Sequence, residues 1–419
     1  MGVTIAPFHL LIVILLTSVI ANNDFYIEIV VSPIVRTDII GEVRLIWESQ
    51  QFALGDRVVL YRSGDVVFQY EPQTCSGSID TGSFVGETNF TQSYTTYCTI
   101  FSGAYVQDNQ TMAYSCLQNS PTWMNDIRND IENLSLSDIF IPGTHDSASY
   151  VISKTGYFEN ILQKYVYTQD VSVLEQLMMG VRYLDLRIGF YNHTLGEPPY
   201  NWWCNHDFMP VQPLSGIFKQ IKQFLTNTNE IVIVDFHHFP VGFGDIDIHH
   251  RLVKYIQKEL GELLHKRTDQ EFGVSLRSIW NSGRRLILSY NKEIIAETYK
   301  LYLPVKQQWG NKQTLSELYS YLNNHFEGCE RDKKQMWAAM AELTPTTLGV
   351  LTDWYGGLRN LANRINTNLT LSYRSCRQWA SCSNIVAVDF FRSTGFVNAA
   401  IRLNRERAKA RNGTMAMHR

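Results

Sequence analysis

The chain has 419 residues, 45% of them hydrophobic and 18% charged, with a formal net charge of -3. That length exceeds one small domain and implies one large or two unequal ones. With no concentrated basic excess there is no whole-molecule case for nucleic-acid binding, so any anionic ligand has to be met by local charge.

In chain order, Leu10 to Leu16 is an unbroken apolar run followed by Thr17-Ser18-Val19-Ile20-Ala21 and the polar Asn22-Asn23-Asp24. It reads as a secretory signal peptide over 1–21, cleaved after Ala21, although it lacks an early Lys or Arg. A membrane anchor is the lesser reading, since the run falls well short of the ~20 residues of a span, and no later segment is long and apolar enough to cross. Sequons at Asn89, Asn109, Asn133, Asn192, Asn368 and Asn412 fit the same secreted, extracellular location. The seven cysteines (Cys75, Cys98, Cys116, Cys204, Cys329, Cys376, Cys382) form no CxxC pair, which speaks against structural zinc and allows disulfides. Cys204 lies two residues from His206, but a buried or bonded cysteine is preferred over a catalytic thiol.

From Asp24 to about Ser120 short apolar runs recur between Gly, Asp and Ser: Ile27-Ile29-Val31, Val43-Leu45-Trp47, Val58 to Tyr61 and Val66 to Phe68. This predicts an all-β, sandwich-like accessory domain over 22–120, with no cluster of histidines or paired carboxylates. After Pro121 helices and strands alternate, predicting a βα domain over 121–419. Ser172 to Glu175 has capping-box spacing before Leu174, Leu177 and Met178 on one helical face, and Gly180 precedes the strand ending at Arg187. Ile217, Phe218, Ile221, Phe224 and Leu225 mark the next helix, and Ile231 to Asp235 the next strand. Leu252, Ile256, Leu260 and Leu263 mark a further helix, then Arg285 to Lys292 a strand. Thr314 to Glu317 is a second capping box, and Trp337 to Leu343 and Asn384 to Phe390 are the late strands.

From Ile139 to Phe391 this makes seven or eight strands, each polar at its C-terminal end. The expected fold is therefore α/β, a TIM-like (β/α) barrel, regular or distorted, whose site forms where the strand ends converge. An open doubly wound sheet is the alternative, but no glycine-rich phosphate loop follows any strand. In a barrel His145, Asp185, Arg187, His206, Asp235, Tyr290, Lys292, Glu342 and Asp389 share one mouth. Two imidazoles, a guanidinium and paired carboxylates suit acid/base chemistry on a phosphate ester.

The segments IPGTHDSASY (141–150), GVRYLDLRIG (180–189), NHDFM (205–209), EIVIVDFHHF (230–239), LILSYNK (286–292), AELTPT (341–346) and NIVAVDFF (384–391) occur in this order. Together they resemble the X domain of phosphatidylinositol-specific phospholipases C, and most closely the small X-domain-containing proteins, over about Leu134 to Arg402. The resemblance implies attack of an inositol 2-hydroxyl on phosphorus, giving an inositol 1,2-cyclic phosphate, with an inositol phospholipid or glycosyl-phosphatidylinositol as substrate at a membrane surface. By resemblance His145 is the general base oriented by Asp389, and His206 the general acid assisted by Asp146. Arg187 holds the phosphate, and Asp185 orients Arg187 or meets the inositol. Tyr290 and Lys292 are expected at the headgroup.

Calcium-dependent relatives carry Asn after the first histidine and two carboxylates on the second strand. Here those positions are Asp146, Asp185 and Arg187, so the expected site has no metal cofactor. Were it calcium-dependent, Asp146, Asp185 and Asp235 would be the ligands. The other readings are a metal-dependent phospholipid or glycerophosphodiester phosphodiesterase and a secreted lipid-headgroup binding protein with little turnover. Of the adjacent His237 and His238, strand alternation lets at most one face the mouth. The tail from Arg402 to Arg419 is read as a solvated helix end, ahead of a contact with anionic lipid.

Overall fold

The computed structural model describes residues 24–36, 38–86, 93–151, 160–161, 163–192, 201–327 and 335–417. The segment 1–21 read as a signal peptide, Asn89, His193 and Cys329 lie outside them. Seven strands come first: β1 (Phe25–Val31), β2 (Glu42–Ser49), β3 (Arg57–Arg62), β4 (Asp65–Tyr70), β5 (Ser76–Phe84), β6 (Tyr97–Gln107) and β7 (Gln110–Asn119). They form two antiparallel sheets, β1-β2-β5 and β4-β3-β6-β7. Ile27, Leu45 and Trp47 of one sheet meet Val58, Leu60 and Tyr105 of the other in one buried cluster, as sheets packed face to face do. The sequence patterns anticipate β1 to β4 but not β5, whose Ser-Gly-rich run has low β-propensity and is held by pairing with β2. Cys98 and Cys116 form a disulfide between β6 and β7.

The remaining strands are β8 (Ile141–Thr144), β9 (Tyr183–Phe190), β10 (Trp202–His206), β11 (Met209–Pro213), β12 (Val232–Val241), β13 (Leu286–Tyr290), β14 (Lys306–Trp309), β15 (Trp337–Met340) and β16 (Ile385–Val388), interspersed with helices. Parallel ladders run in the order β14-β15-β16-β8-β9-β12-β13. The β10–β11 hairpin adds antiparallel to the far end of β9. Both capping boxes form as their spacing predicts, at Ser172–Glu175 and Thr314–Glu317. The helix Leu214–Asn227 buries Ile217, Phe218, Ile221, Phe224 and Leu225.

This is an α/β architecture. Among the described residues β13 and β14 share no ladder. Instead Tyr302 N–H donates to Leu288 O at 2.9 Å, Tyr290 N–H to Tyr302 O at 3.1 Å, and Val305 N–H to Ser289 Oγ at 3.1 Å. The segment leading into β14 therefore lies against β13, and the sheet curls toward itself.

The antiparallel sheets pack on two long helices of the second part. Asn398 Nδ2 donates to Glu28 Oε1 at 2.8 Å, Arg374 Nε to Glu48 Oε2 at 2.9 Å, and Arg359 Nη1 to the Pro33 carbonyl at 3.0 Å. A deeper tie follows β7. Arg182, just ahead of β9, bonds Glu230 Oε2 through Nε at 2.8 Å and Nη2 at 2.6 Å, with neither side chain exposed. Arg182 also donates to the Leu177, Ser120 and Pro121 carbonyls, while Glu230 accepts from the Met124 and Asn125 N–H groups. Removing one partner of such a buried pair strands the other charge. Glu230→Ala is therefore expected to lower stability by about 3–5 kcal/mol, read as a drop in the denaturant midpoint at unchanged slope.

Candidate active site

His145 and Asp146 follow directly on β8. Gly143 cannot be replaced without displacement, because a Cβ there would lie 2.7 Å from Tyr183 Cδ1. Asp146 turns the chain through φ 41°, a left-handed conformation that Asp adopts more readily than most residues, and its N–H donates to Asp185 Oδ2 at 3.1 Å. Strand alternation places Tyr183, Asp185 and Arg187 of β9 on one face. Their contacts converge on His145, whose Nδ1 lies 2.8 Å from Asp389 Oδ1 and whose Nε2 lies 2.6 Å from Arg187 Nη2.

Arg187 Nη1 is 3.5 Å from Asp146 Oδ2 and 3.9 Å from Asp207 Oδ1, and Nη2 is 3.7 Å from Asp185 Oδ2. His206, at the end of β10, has its Nδ1 bonded to the Val166 carbonyl and its Nε2 3.9 Å from Asp146 Oδ2. The fold thus brings together His145, Asp146, Asp185, Arg187, His206 and Asp389. Asp185 is wholly buried and accepts from Asp146 N–H and from Gln307 Nε2 at 3.1 Å, a placement for orienting Arg187 rather than for meeting a ligand.

Tyr290 and Lys292 are not part of this cluster, which corrects the headgroup expectation. The Tyr290 hydroxyl is 2.8 Å from His249 Nδ1 on the helix Ile246–Leu260, and its ring packs on Phe236 and Phe239, so it faces the helical layer. Lys292 is exposed at the start of the helix Glu293–Tyr299. Ser289 takes the inward position, donating to Asp235 Oδ1 at 2.9 Å. Cys204 is buried, and burial, then Asp146, push its thiol well above the ordinary value, which keeps it from acting as a thiolate.

Motif reading assigned no role to Gln307, His237 or Glu342. Gln307 Nε2 donates to Tyr183 OH at 3.1 Å as well as to Asp185, although its short strand gives no sequence signal. His237 Nδ1 lies 3.4 Å from Asp235 Oδ2, and His238 is exposed on the opposite face. Glu342 is buried, and neither of its oxygens has a hydrogen-bond partner. Its polar position at the end of an apolar strand placed it at the mouth in the sequence, without a role.

Charge in this cluster is tightly balanced. Burial raises the Glu342 carboxyl to about 7 and raises that of Asp146 against the pull of Arg187 and His206. For Asp185 burial acts upward too, but Arg187, His145 and His237 outweigh it and hold the carboxyl low. Burial works to lower the His145 pKa, yet Glu342 and Asp389 overcome it and take it up to about 10. The 2.6 Å contact points the other way: two N–H donors cannot face each other there, so Nε2 accepts from Arg187 and the ring is neutral, with its proton on Nδ1 toward Asp389. The carboxylates therefore favour the cation that forms once His145 takes a proton, and Arg187 holds the ring neutral beforehand.

A divalent cation would need Asp146, Asp185 and Asp235 to converge with free lone pairs. Arg187 already lies against the first two, and Asp235 accepts from Tyr183 OH at 2.8 Å and from Ser289. Among the described residues no group of three or more His, Cys, Asp or Glu side chains is arranged to hold a metal.

A phosphatidylinositol-specific phospholipase C variant from Staphylococcus aureus matches this chain with a TM-score of 0.52 at 16% identity, covering 68% of this chain and 97% of that one. The phosphatidylinositol-specific phospholipase C from Listeria monocytogenes matches at 0.51 and 17%, covering 68% and 98%. These likenesses show a shared fold. At the level of sequence, PI-PLC X domain-containing protein 1 of Homo sapiens is 27% identical over 314 residues, 70% of this chain and 94% of that protein. PI-PLC X domain-containing protein 2 of Mus musculus is 26% identical over 306 residues, 67% and 87% respectively. No family model matches the chain. The similarity to PI-PLC X domain-containing proteins read from the GTHDS and GVRYLDLR segments is borne out by these relatives.

Because Glu342 helps raise His145, Glu342→Gln is expected to lower the His145 pKa. A reaction that needs neutral His145 would then keep its rate to lower pH, and the acidic limb of the pH profile would move down. Titration of the His145 ring by NMR checks the same shift without turnover.

Proposed function

We propose that the chain is a secreted phosphoric diester hydrolase of the phospholipase C type, acting on phosphatidylinositol or a glycosyl-phosphatidylinositol anchor. The carrying observation is the Arg187 guanidinium set against His145, with His206 beyond it on Asp146. Residues 121–419 form the catalytic barrel in this reading, and 22–120 an accessory module.

A bound phosphoryl group takes up the Arg187 donors, for which a planar fork is suited, and so releases His145 Nε2. Nε2 then accepts the inositol 2-hydroxyl proton as that oxygen bonds to phosphorus. Asp389 stabilises the resulting imidazolium through Nδ1–H. The P–O bond to glycerol breaks, and His206, steadied by Asp146, gives its Nε2 proton to the departing oxygen. The products are inositol 1,2-cyclic phosphate and a neutral diacylglycerol. No step needs a metal.

Membrane contact has a physical basis. At the end of β14 and beyond β15, Trp309, Leu348, Leu351 and Trp354 are 52%, 70%, 75% and 78% exposed, and exposed apolar groups in such number mark an interaction surface. Among the described residues no helix is long and apolar enough to cross a membrane, so the contact is peripheral. The Cys98–Cys116 disulfide and the exposure of the sequon residues Asn109, Asn133, Asn192 and Asn368 support the secreted reading.

Purified protein incubated with phosphatidylinositol vesicles is expected to release inositol 1,2-cyclic phosphate with or without chelator. His145→Ala should lower the rate by roughly 10²–10⁴-fold, the usual worth of a positioned base. Loss of activity with chelator would overturn the arginine-based mechanism, and silence on every inositol lipid would leave a binding protein. In vesicle sedimentation, Leu351→Ser with Trp354→Ser should weaken partitioning by roughly tenfold or more, since each large apolar side chain contributes about 1.5–3 kcal/mol when buried.

A further inference from the structure

A cavity of about 380 Å³ lies between the antiparallel sheets and the start of the helix Phe396–Met417, and none of the His145 cluster lines it. Its walls are largely apolar, with Ile29, Ile100 and Leu117 from the sheets and Met179 and Val397 from the second part. Two charged side chains also line it, Glu28 and Arg392, and they differ in how far their polar capacity is used.

Glu28 is buried and saturated. It accepts from Tyr26 OH at 3.0 Å, Asn398 Nδ2 at 2.8 Å and Ser115 Oγ at 3.5 Å, and burial raises its carboxyl to about 7, so much of its charge is lost at neutral pH. Arg392 makes no hydrogen bond or ion pair among the described residues. The acidic groups that influence it most are Asp170 and Glu175. Asp170 is paired with Arg359, and Glu175 is committed to its capping box with Ser172. Burial lowers the Arg392 pKa, but a guanidinium starts so high that it stays charged. The cavity therefore presents a largely apolar lining and one guanidinium that has no hydrogen-bond partner among the described residues.

We propose that this cavity binds a single-chain amphiphile with an anionic head, its acyl chain along the Ile29, Ile100 and Leu117 wall and its carboxylate or phosphate on Arg392. A neutral or cationic head would leave the guanidinium unpaired in an apolar setting, which is costly. The size lies near the lower end of the roughly 300–1,000 Å³ of small-molecule sites, so one chain is accommodated rather than two. The site is distinct from the hydrolytic centre and independent of whether that centre turns over.

Calorimetric titration of the full chain with myristate, myristoyl lysophosphatidate and myristyl alcohol, each below its micelle concentration, tests this. Saturable one-to-one binding of myristate or lysophosphatidate is expected, with the alcohol weaker by roughly tenfold or more, as a lost charge-assisted hydrogen bond implies. The preferred acid distinguishes a free fatty acid from a lysophospholipid. Arg392→Gln should bring the acids to the affinity of the alcohol, and Leu117→Trp should abolish binding by filling the space. Should Leu117→Trp not fold, Ile100→Trp narrows the same cavity from a half-exposed strand position. Leu351→Ser with Trp354→Ser should leave binding intact. Equal affinity for acid and alcohol, full binding by Arg392→Gln or by a folded cavity-filling variant, or no saturable binding would each overturn the proposal.

Discussion

The buried pair of Arg182 and Glu230 is the joint on which the rest of the structure depends. It draws the segment after β7 onto the starts of β9 and β12, and it satisfies the Ser120 and Pro121 carbonyls and the Met124 and Asn125 N–H groups that would otherwise be stranded indoors. With both strands anchored at their bases, their register follows: Ile233 pairs with Tyr183 and Asp235 with Asp185. A slip of one residue would turn Asp185 and Arg187 into the helical layer and Leu184 and Leu186 toward the mouth.

From that register follows an unusual interior. The inward positions of β9, β12, β13 and β14 carry Tyr183, Asp185, Asp235, Ser289 and Gln307, which satisfy one another through Tyr183 OH to Asp235, Ser289 Oγ to Asp235 and Gln307 Nε2 to Asp185. A polar layer of this kind is tolerable only when its members are bonded. Above it the balance changes. Asp146 and Glu342 have carboxyl oxygens with no hydrogen bond, and the Arg187 guanidinium lies 3.5 Å from Asp146. Rigidity below and unmet bonding capacity above are what separate the floor of this site from its working surface.

The parts legible in the sequence are those fixed by short-range rules. The two capping boxes, the helix Leu214–Asn227 and the placement of His145, Asp185 and Arg187 all follow from local spacing. Tyr290 and Lys292 failed because a strand buried on both faces reads as a continuous apolar run, which conceals parity, and Ser289 proved to be the inward residue. For His237 and His238 parity was the useful constraint, since only His237 reaches inside. Gln307 sits on a strand of four residues, too short for any pattern, whereas Glu342, two residues past β15, was legible as a mouth residue but not in its role. The cavity was illegible for a different reason: Glu28, Leu117 and Arg392 come together only when the two halves of the chain dock.

One stretch of backbone serves both regions. β16 ends at Val388, Asp389 points its carboxylate at His145, and Phe390 takes a left-handed φ of 49° that few residues other than glycine accept without cost. That turn is what lets Phe391 and Arg392 line the cavity three residues or fewer after a residue that reaches the mouth. Asn366 secures it, donating to the Asp389 carbonyl at 2.9 Å and to Ser393 Oγ at 2.7 Å, and Gln169 Nε2 holds the other side through the His145 and Val388 carbonyls at 3.1 and 2.9 Å. With both of its ends tied to buried amides, the turn cannot swing to bring Arg392 toward the mouth. Asp389 and Arg392 consequently serve separate regions, the His145 cluster and the cavity.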